Sequence, residues 1–250
     1  MEIPEEARKL IRSALFYWPG AYEFIHSQVR SEMLYRLGRP HEPGFRALKL
    51  LAKGPNPLVL DVGANIGQSI FSIKTVLPGA RVVSFEANPL NVAVLQRLET
   101  RFTSVTIEGF GLGTGPAQAE LYIPVYRRKP MTALASLDRG QAAGWLNPGT
   151  VHWFAPSQLR IESATTSIRA LDSFGLLPDF IKIDVEGAED AVIQGGQKTI
   201  ARSRPAIMIE SGVRGAGTSY LLDKLGYAVA EFDGRGFRPY RGTGTAFLLP

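Results

Sequence analysis

Cysteine is absent from all 250 residues, which excludes disulfides, thiolate metal sites and a cysteine nucleophile. Histidine is scarce. His26, His41 and His152 are too few and too scattered for a multi-histidine metal centre, and no metal is assigned. No apolar run approaches the roughly 20 residues that span a bilayer. The opening Met1-Glu2-Ile3-Pro4-Glu5-Glu6 lacks the basic-then-apolar order of a secretory signal. These absences point to a soluble, cytoplasmic protein with no stable membrane insertion. The net charge of +5 is scattered, with Arg127-Arg128-Lys129 as its one tight cluster. A nucleic-acid binder shows a basic stripe interleaved with aromatics; none is present, so nucleic acid is not an expected partner. Internal repeats and low-complexity tracts are missing too. What remains has the composition and length of one large globular domain with an appendage.

The most informative stretch is Leu58-Val59-Leu60-Asp61-Val62-Gly63-Ala64-Asn65-Ile66-Gly67. An apolar run that ends in Asp-x-Gly and flows into an amphipathic segment reads as strand, glycine turn and helix. Such a turn lets backbone lie against a ligand at a helix N-terminus. Nineteen residues beyond Gly67, Arg81-Val82-Val83-Ser84-Phe85 ends in Glu86. A carboxylate about 20 residues past the turn is where a doubly wound fold holds a ribose diol. The dinucleotide fingerprint needs glycine where this chain has Asn65, whose side chain would crowd a pyrophosphate. Asp61 repels a pyrophosphate but attracts an ammonium or sulfonium. S-adenosylmethionine fits all these features, whereas a nicotinamide cofactor fits only the ribose position.

Residues 1–54 read as a helical cap, with Leu10, Ile11, Ala14 and Leu15 on one apolar stripe and Phe24, Ile25, Val29, Met33 and Leu37 on another. A membrane-surface helix is the weaker reading, because Glu2, Glu5 and Glu6 would repel an anionic leaflet. From Pro57 the pattern alternates strand and helix. Strands are expected at Leu58–Asp61, Arg81–Glu86, Val105–Ile107, Phe180–Val185, Pro205–Glu210 and Tyr227–Phe232. Pro89 sits at a first-turn position that opens a helix. The last strand, Gly244–Leu249, follows a connection too short for a helical crossover and should run antiparallel. The expected fold is an α/β, doubly wound, Rossmann-like sheet, mostly parallel with a terminal antiparallel strand. Residues 55–250 form the cofactor-binding domain. Within it, residues 121–171 depart from tidy alternation, carry Tyr122, Tyr126, Trp145, Trp153 and Phe154, and are read as the acceptor-binding insertion.

Asp184-Val185-Glu186-Gly187-Ala188-Glu189 closes the fourth of these strands beside the first. Asp184 and Glu186 share a face if the strand continues that far. Carboxylates there could hold a sulfonium's amine, bind a metal with Glu210, or accept a proton from an attacking hydroxyl. Glu189 is better read as helix N-terminal charge. His152, in the expected acceptor region, is a third candidate catalytic residue after Asp184 and Glu186.

The chain resembles the FkbM family of S-adenosylmethionine-dependent methyltransferases over roughly Leu58 to Leu249. The resemblance rests on Asp61–Gly67, Phe85-Glu86-Ala87-Asn88-Pro89, Phe180–Glu189 and Arg204-Pro205 with Glu210; Ala135-Ser136-Leu137 and Ala170-Leu171-Asp172 flank the variable region. It departs in having Glu-Ala-Asn-Pro where Glu-Pro-Asn-Pro is usual, and in the glycine-rich Gly109-Phe110-Gly111-Leu112-Gly113. The expected cofactor contacts are Asp61, Gly63, Asn65, Gly67, Glu86, Asn88, Phe110, Gly111 and Asp184. The resemblance implies O-methylation of a hydroxylated small molecule, sugar, lipid or polyketide-like acceptor. Competing readings are an RNA ribose methyltransferase, suggested by Lys182, Asp184 and Glu210, a non-catalytic cofactor-binding module, and an NAD-dependent oxidoreductase.

Overall fold

The structure, a computed structural model, describes Ser13, residues 29–210 and residues 215–250. The N-terminal segment contributes α1 (Arg30–Arg36), a 3-10 turn over Pro43–Ala47 and the short α2 (Leu48–Leu51). The expected stripe at Leu10–Leu15, and its companions Phe24 and Ile25, lie outside the described residues. Val29, Met33 and Leu37 are exposed rather than buried. Tyr35 turns inward in their place and packs on Phe71 and Phe102. A helix of two turns buries only one side, and here the side with the larger aromatic area is inside.

β1 (Leu58–Val62) is buried along its whole length, as an apolar strand flanked by parallel neighbours must be. Next come α3 (Gln68–Val76), β2 (Arg81–Phe85), α4 (Pro89–Arg101) and β3 (Val105–Glu108). Pro89 does open α4, with the Asn88 side chain accepting the Leu90 N–H as N-cap. After β3 the chain leaves the main sheet through β4 (Gly111–Leu112), β5 (Ala117–Tyr126), β6 (Lys129–Pro130), α5 (Arg139–Gly144) and β7 (Leu159–Arg169). It returns as β8 (Phe180–Ile183), α6 (Glu189–Gly195), α7 (Gln197–Ser203) and β9 (Ala206–Ile209). The chain then closes with α8 (Ala216–Asp223), β10 (Ala228–Phe232), β11 (Phe237–Pro239) and β12 (Ala246–Leu249).

The main sheet has the order β11-β10-β12-β9-β8-β1-β2-β3. The run from β9 through β8, β1 and β2 to β3 is parallel. Chain order reverses between β1 and β8, so a ligand crevice belongs outside the carboxyl ends of those strands. The expected antiparallel terminal strand is present, but it is not at the edge: β12 inserts between β9 and β10. The edge is β11, which the sequence pattern does not reveal. One apolar layer, with Phe45, Ile70, Ile73 and Leu95, covers one face of the sheet. A second, with Leu60, Phe85, Ile193 and Leu221, covers the other. Among the described residues no helix is long and apolar enough to cross a membrane.

Residues 121–171 are more regular than their composition suggests. β5 and β7 pair antiparallel over their whole length and, with β4 and β6, form a second sheet of order β4-β7-β5-β6. Leu121, Ile123 and Val125 alternate inward and are buried. Pro124 sits among them and obscures that period in the sequence, although its carbonyl still accepts the Met131 N–H at 2.7 Å.

Candidate active site

The turn after β1 is built on left-handed backbone: φ is 80° at Gly63, 50° at Asn65 and 98° at Gly67. Asparagine tolerates that region better than most side chains. The Gly63 N–H donates to the Phe85 carbonyl at 2.9 Å, which ties the turn to the end of β2. A Cβ on Gly63 would lie 1.8 Å from the Asp184 carbonyl oxygen. The close approach of β1 and β8 therefore requires glycine there.

Outside these strand ends lies an open cleft, about 760 Å³ with the solvent space at its mouth included, whose walls include Gly63, Asn65, Glu86, Asn88, Gly111 and Asp184. β5 and the segment between β6 and α5 add Leu121, Ala135, Ser136 and Leu137. Glu86 is buried and accepts the backbone N–H groups of Asn65 at 2.7 Å and Asn88 at 2.8 Å. Burial pushes its carboxyl up to about 7 despite those bonds. The buried Asn88 Nδ2 has no hydrogen-bond partner among the described residues, so a ligand acceptor would satisfy it. A nucleoside, with diol donors for Glu86 and acceptors for Asn88, fits this wall. Diol donors favour the ionised carboxylate, whereas the folded protein holds the proton up to about pH 7. Affinity for S-adenosylhomocysteine should therefore rise with pH through about 7. Glu86→Gln should lower affinity roughly tenfold at pH 8 and flatten that profile in calorimetric titration. Equal affinity would place the ribose elsewhere.

A polar column runs under the turn. Lys182 is buried, donates to the Gly63 carbonyl at 2.8 Å, and lies 3.5 Å from Asp61 and 3.3 Å from Asp184. Burial opposes its charge, but Asp61, Asp184 and Glu210 outweigh that and hold Lys182 above its ordinary value. Asp61 is wholly buried and accepts from Ser69 Oγ at 2.5 Å and Ser84 Oγ at 3.3 Å. Asp184 resists burial and stays below the usual carboxylate range through Lys182 and a hydrogen bond shared with Glu210. That bond, with burial second, pushes Glu210 up to about 8. The two carboxyls thus share a proton near neutrality.

Glu186 also lines the cleft, but not by strand alternation, because β8 ends at Ile183. It sits in a turn at φ 52°, uncommon for a residue with a side chain. Burial and then Asp184 raise its carboxyl. Glu189 accepts the Gly187 and Val185 N–H groups, so it pins this turn.

Four expected site residues line neither this cleft nor the cavity beside it. Asp61 lies beneath the turn, and Gly67 starts α3 with Leu98 packed where a Cβ would be. Phe110 is buried, stacked on Phe174 at 5.5 Å with Arg169 over its ring at 4.4 Å; only its neighbours Gly111 and Leu112 reach the cleft. His152 packs by Trp153, and its N–H donates to Ser13 Oγ at 2.8 Å.

The adjoining cavity, of about 560 Å³, shares Gly63, Asn65 and Asp184 with the cleft and adds His41, Glu42, Gln68, Lys182 and Glu210. Sequence reasoning misses His41 and Glu42. Their signal is a loop punctuated by Gly38, Pro40, Pro43 and Gly44 around two titratable residues.

The family profile of the methyltransferase FkbM domain matches residues 61–238. The chain is 30% identical over 196 residues to the AMB antimetabolite synthetase AmbE of Pseudomonas aeruginosa, a match covering 68% of this chain and 9% of that protein. It is 23% identical over 180 residues to Methyltransferase 1 of Beauveria bassiana, covering 69% of this chain and 66% of that one. The chain thus spans less than two thirds of the length of either curated relative. A crystal structure of methyltransferase FkbM from Methylobacillus flagellatus KT shares the fold, with a TM-score of 0.51 at 18% identity, covering 94% of this chain and 62% of that one.

Proposed function

The chain belongs to the methyltransferase FkbM family, and on that premise we propose that it methylates a hydroxyl of a small-molecule, sugar or lipid-type acceptor with S-adenosylmethionine as donor. When bound, the cofactor supplies an electrophilic methyl group on a sulfonium and leaves as a neutral thioether. Glu86 and Asn88 offer an acceptor and a donor to its nucleoside, and Gly63 and Gly111 line the same cleft. In this reading the N-terminal segment acts as a cap, and of its described residues His41, Glu42 and Phe45 wall the adjoining cavity. Residues 121–171 supply the Thr132–Leu137 wall of the cleft.

The observation that carries O-methylation is the hydrogen-bonded Asp184–Glu210 pair, which follows the ends of β8 and β9 and lines the adjoining cavity. A hydroxyl oxygen that gains a methyl carbon must lose its proton, and this pair is placed to hold it. Near neutrality Glu210 carries the shared proton. Its loss near pH 8 leaves two ionised carboxylates, a stronger base. Among the described residues neither cavity is lined by arginine, and Lys182 is engaged by carboxylates, which argues against a polyanionic RNA acceptor.

Turnover in a screen of hydroxylated acceptors with methyl-labelled cofactor should rise with pH through about 8, and Glu210→Gln should remove that rise. Asp184→Asn should lower turnover at least about tenfold, roughly 1.4 kcal/mol of transition-state stabilisation. A loss confined to cofactor affinity would make Asp184 a cofactor ligand. Unchanged turnover would remove it from the chemistry.

A further inference from the structure

The cavity beside the cofactor cleft has the wrong lining for an oily ligand. Among the described residues its only large apolar side chains are Phe45 and Met208; His41, Glu42, Asn65, Gln68, Ser69, Lys182, Asp184 and Glu210 make up most of the rest. An acyl or polyketide chain would strip water from these groups and return no hydrogen bonds. A polyhydroxylated compound returns them. The charges are also unequal. Glu42, Asp184 and Glu210 face the space, whereas Lys182, the one lysine among the described lining residues, is already engaged by Asp61 and Asp184 and donates to the Gly63 carbonyl.

Glu42 is held in place, not left to wave in solvent. The buried Ser72 on α3 accepts the His41 backbone N–H at 2.9 Å, and its Oγ meets the ring Nδ1 at 2.6 Å. The hydroxyl can give its own hydrogen to Nδ1, which puts the ring N–H on Nε2, 3.5 Å from Glu42 Oε1. Ser72, His41 and Glu42 thus form a chain from the core of the main domain to the cavity wall. The hydrogen bond from His41, outweighing burial, keeps Glu42 below the usual carboxylate range. Glu210, across the cavity, retains a proton through Asp184, with Glu42 adding to the effect and Lys182 opposing it. A ligand ammonium can replace that proton.

We propose that this cavity is the acceptor subsite, and that Glu42, oriented by His41 and Ser72, selects a hydroxylated amine such as an amino sugar or amino alcohol. The ammonium lies between Glu42 and Glu210, and the hydroxyl faces Asp184, at the boundary the two cavities share. This rests on the methyltransferase reading above.

The test uses the intact chain saturated with S-adenosylhomocysteine and ligand-observed NMR titration of glucosamine, glucose and hexan-1-ol. Glucosamine and glucose differ only in the amine, so wild-type protein alone isolates its contribution. Glucosamine should bind at least about tenfold more tightly than glucose, as expected of one charge-assisted bond, and hexan-1-ol should bind least. Glu42→Gln should remove the glucosamine advantage while leaving S-adenosylhomocysteine affinity within about twofold. Equal binding of the two sugars, preference for hexan-1-ol, or an unaffected Glu42→Gln would overturn the proposal. So would a Glu42→Gln variant that loses S-adenosylhomocysteine, since Glu42 would then belong to the cofactor. Failure of wild-type protein to bind S-adenosylhomocysteine would instead refute the methyltransferase reading beneath it.

Discussion

Gly63→Ala should lower affinity for S-adenosylhomocysteine at least about a hundredfold, equivalent to about 2.7 kcal/mol, and stop methyl transfer. Two costs coincide at this position. The backbone sits at φ +80°, where a side chain costs roughly 1–2 kcal/mol. The added Cβ would also lie 1.8 Å from the Asp184 carbonyl oxygen and 3.2 Å from Val185 Cγ1. That backbone is poorly able to yield, because the Asp184 N–H donates to the Val62 carbonyl at 3.0 Å. The tips of β1 and β8 must part instead, and the cleft walls at Asn65 and Asp184 move with them. Gly115→Ala is the control: nothing lies within 4 Å of its Cβ position, and no positive φ is required. It should bind like wild type, with both variants checked by circular dichroism. Wild-type affinity in a folded Gly63→Ala would show that no ligand approaches this turn.

The legible parts of this protein are those fixed by short stretches of chain. The glycine turn, Glu86 and Asp184 sit at strand ends, and a strand end is visible where an apolar run meets a polar or glycine residue. Once the strands are placed, the doubly wound order brings Asp184 beside Gly63 without further information. The second sheet is less legible because Pro124 interrupts the alternation of Leu121, Ile123 and Val125, and because β5 finds β7 only after a long excursion. Phe110 shows another limit. Its place in a glycine loop suggests a ligand contact, but its ring joins Phe85 and Phe174 inside, a packing that local spacing does not encode. His41 and Glu42 depend on a contact with Ser72, thirty-one positions from His41. Neither local spacing nor composition encodes that contact. Histidine scarcity draws attention to His152, which packs in a different part of the molecule.

Lys182→Met should destabilise the fold by about 3–5 kcal/mol, the penalty for leaving a buried ion without its partner. Methionine keeps the length of the stem and discards the charge. Asp61 is then the problem: it is wholly buried, and its Oδ1 has no hydrogen-bond partner among the described residues apart from the lysine charge 3.5 Å away. Asp184 loses its counterion too, but its side chain is about a third exposed and water can take over part of the role. Asp61→Asn in the Lys182→Met background should therefore recover a substantial part of the lost stability. The two changes should couple by at least about 0.5 kcal/mol in a double-mutant cycle. The pH dependence has a definite sign. Lys182 is held above its ordinary value of 10.5, so its contribution is complete below that pH and disappears as pH rises through the folded value. The stability gap between wild type and Lys182→Met should accordingly persist across neutral pH and narrow on the alkaline side. Denaturant melts at pH 7 and above pH 10.5 measure both quantities. A Lys182→Met protein as stable as wild type at pH 7 would show that the lysine charge does not hold the column beneath the glycine turn, which would then rest on its hydrogen bonds alone.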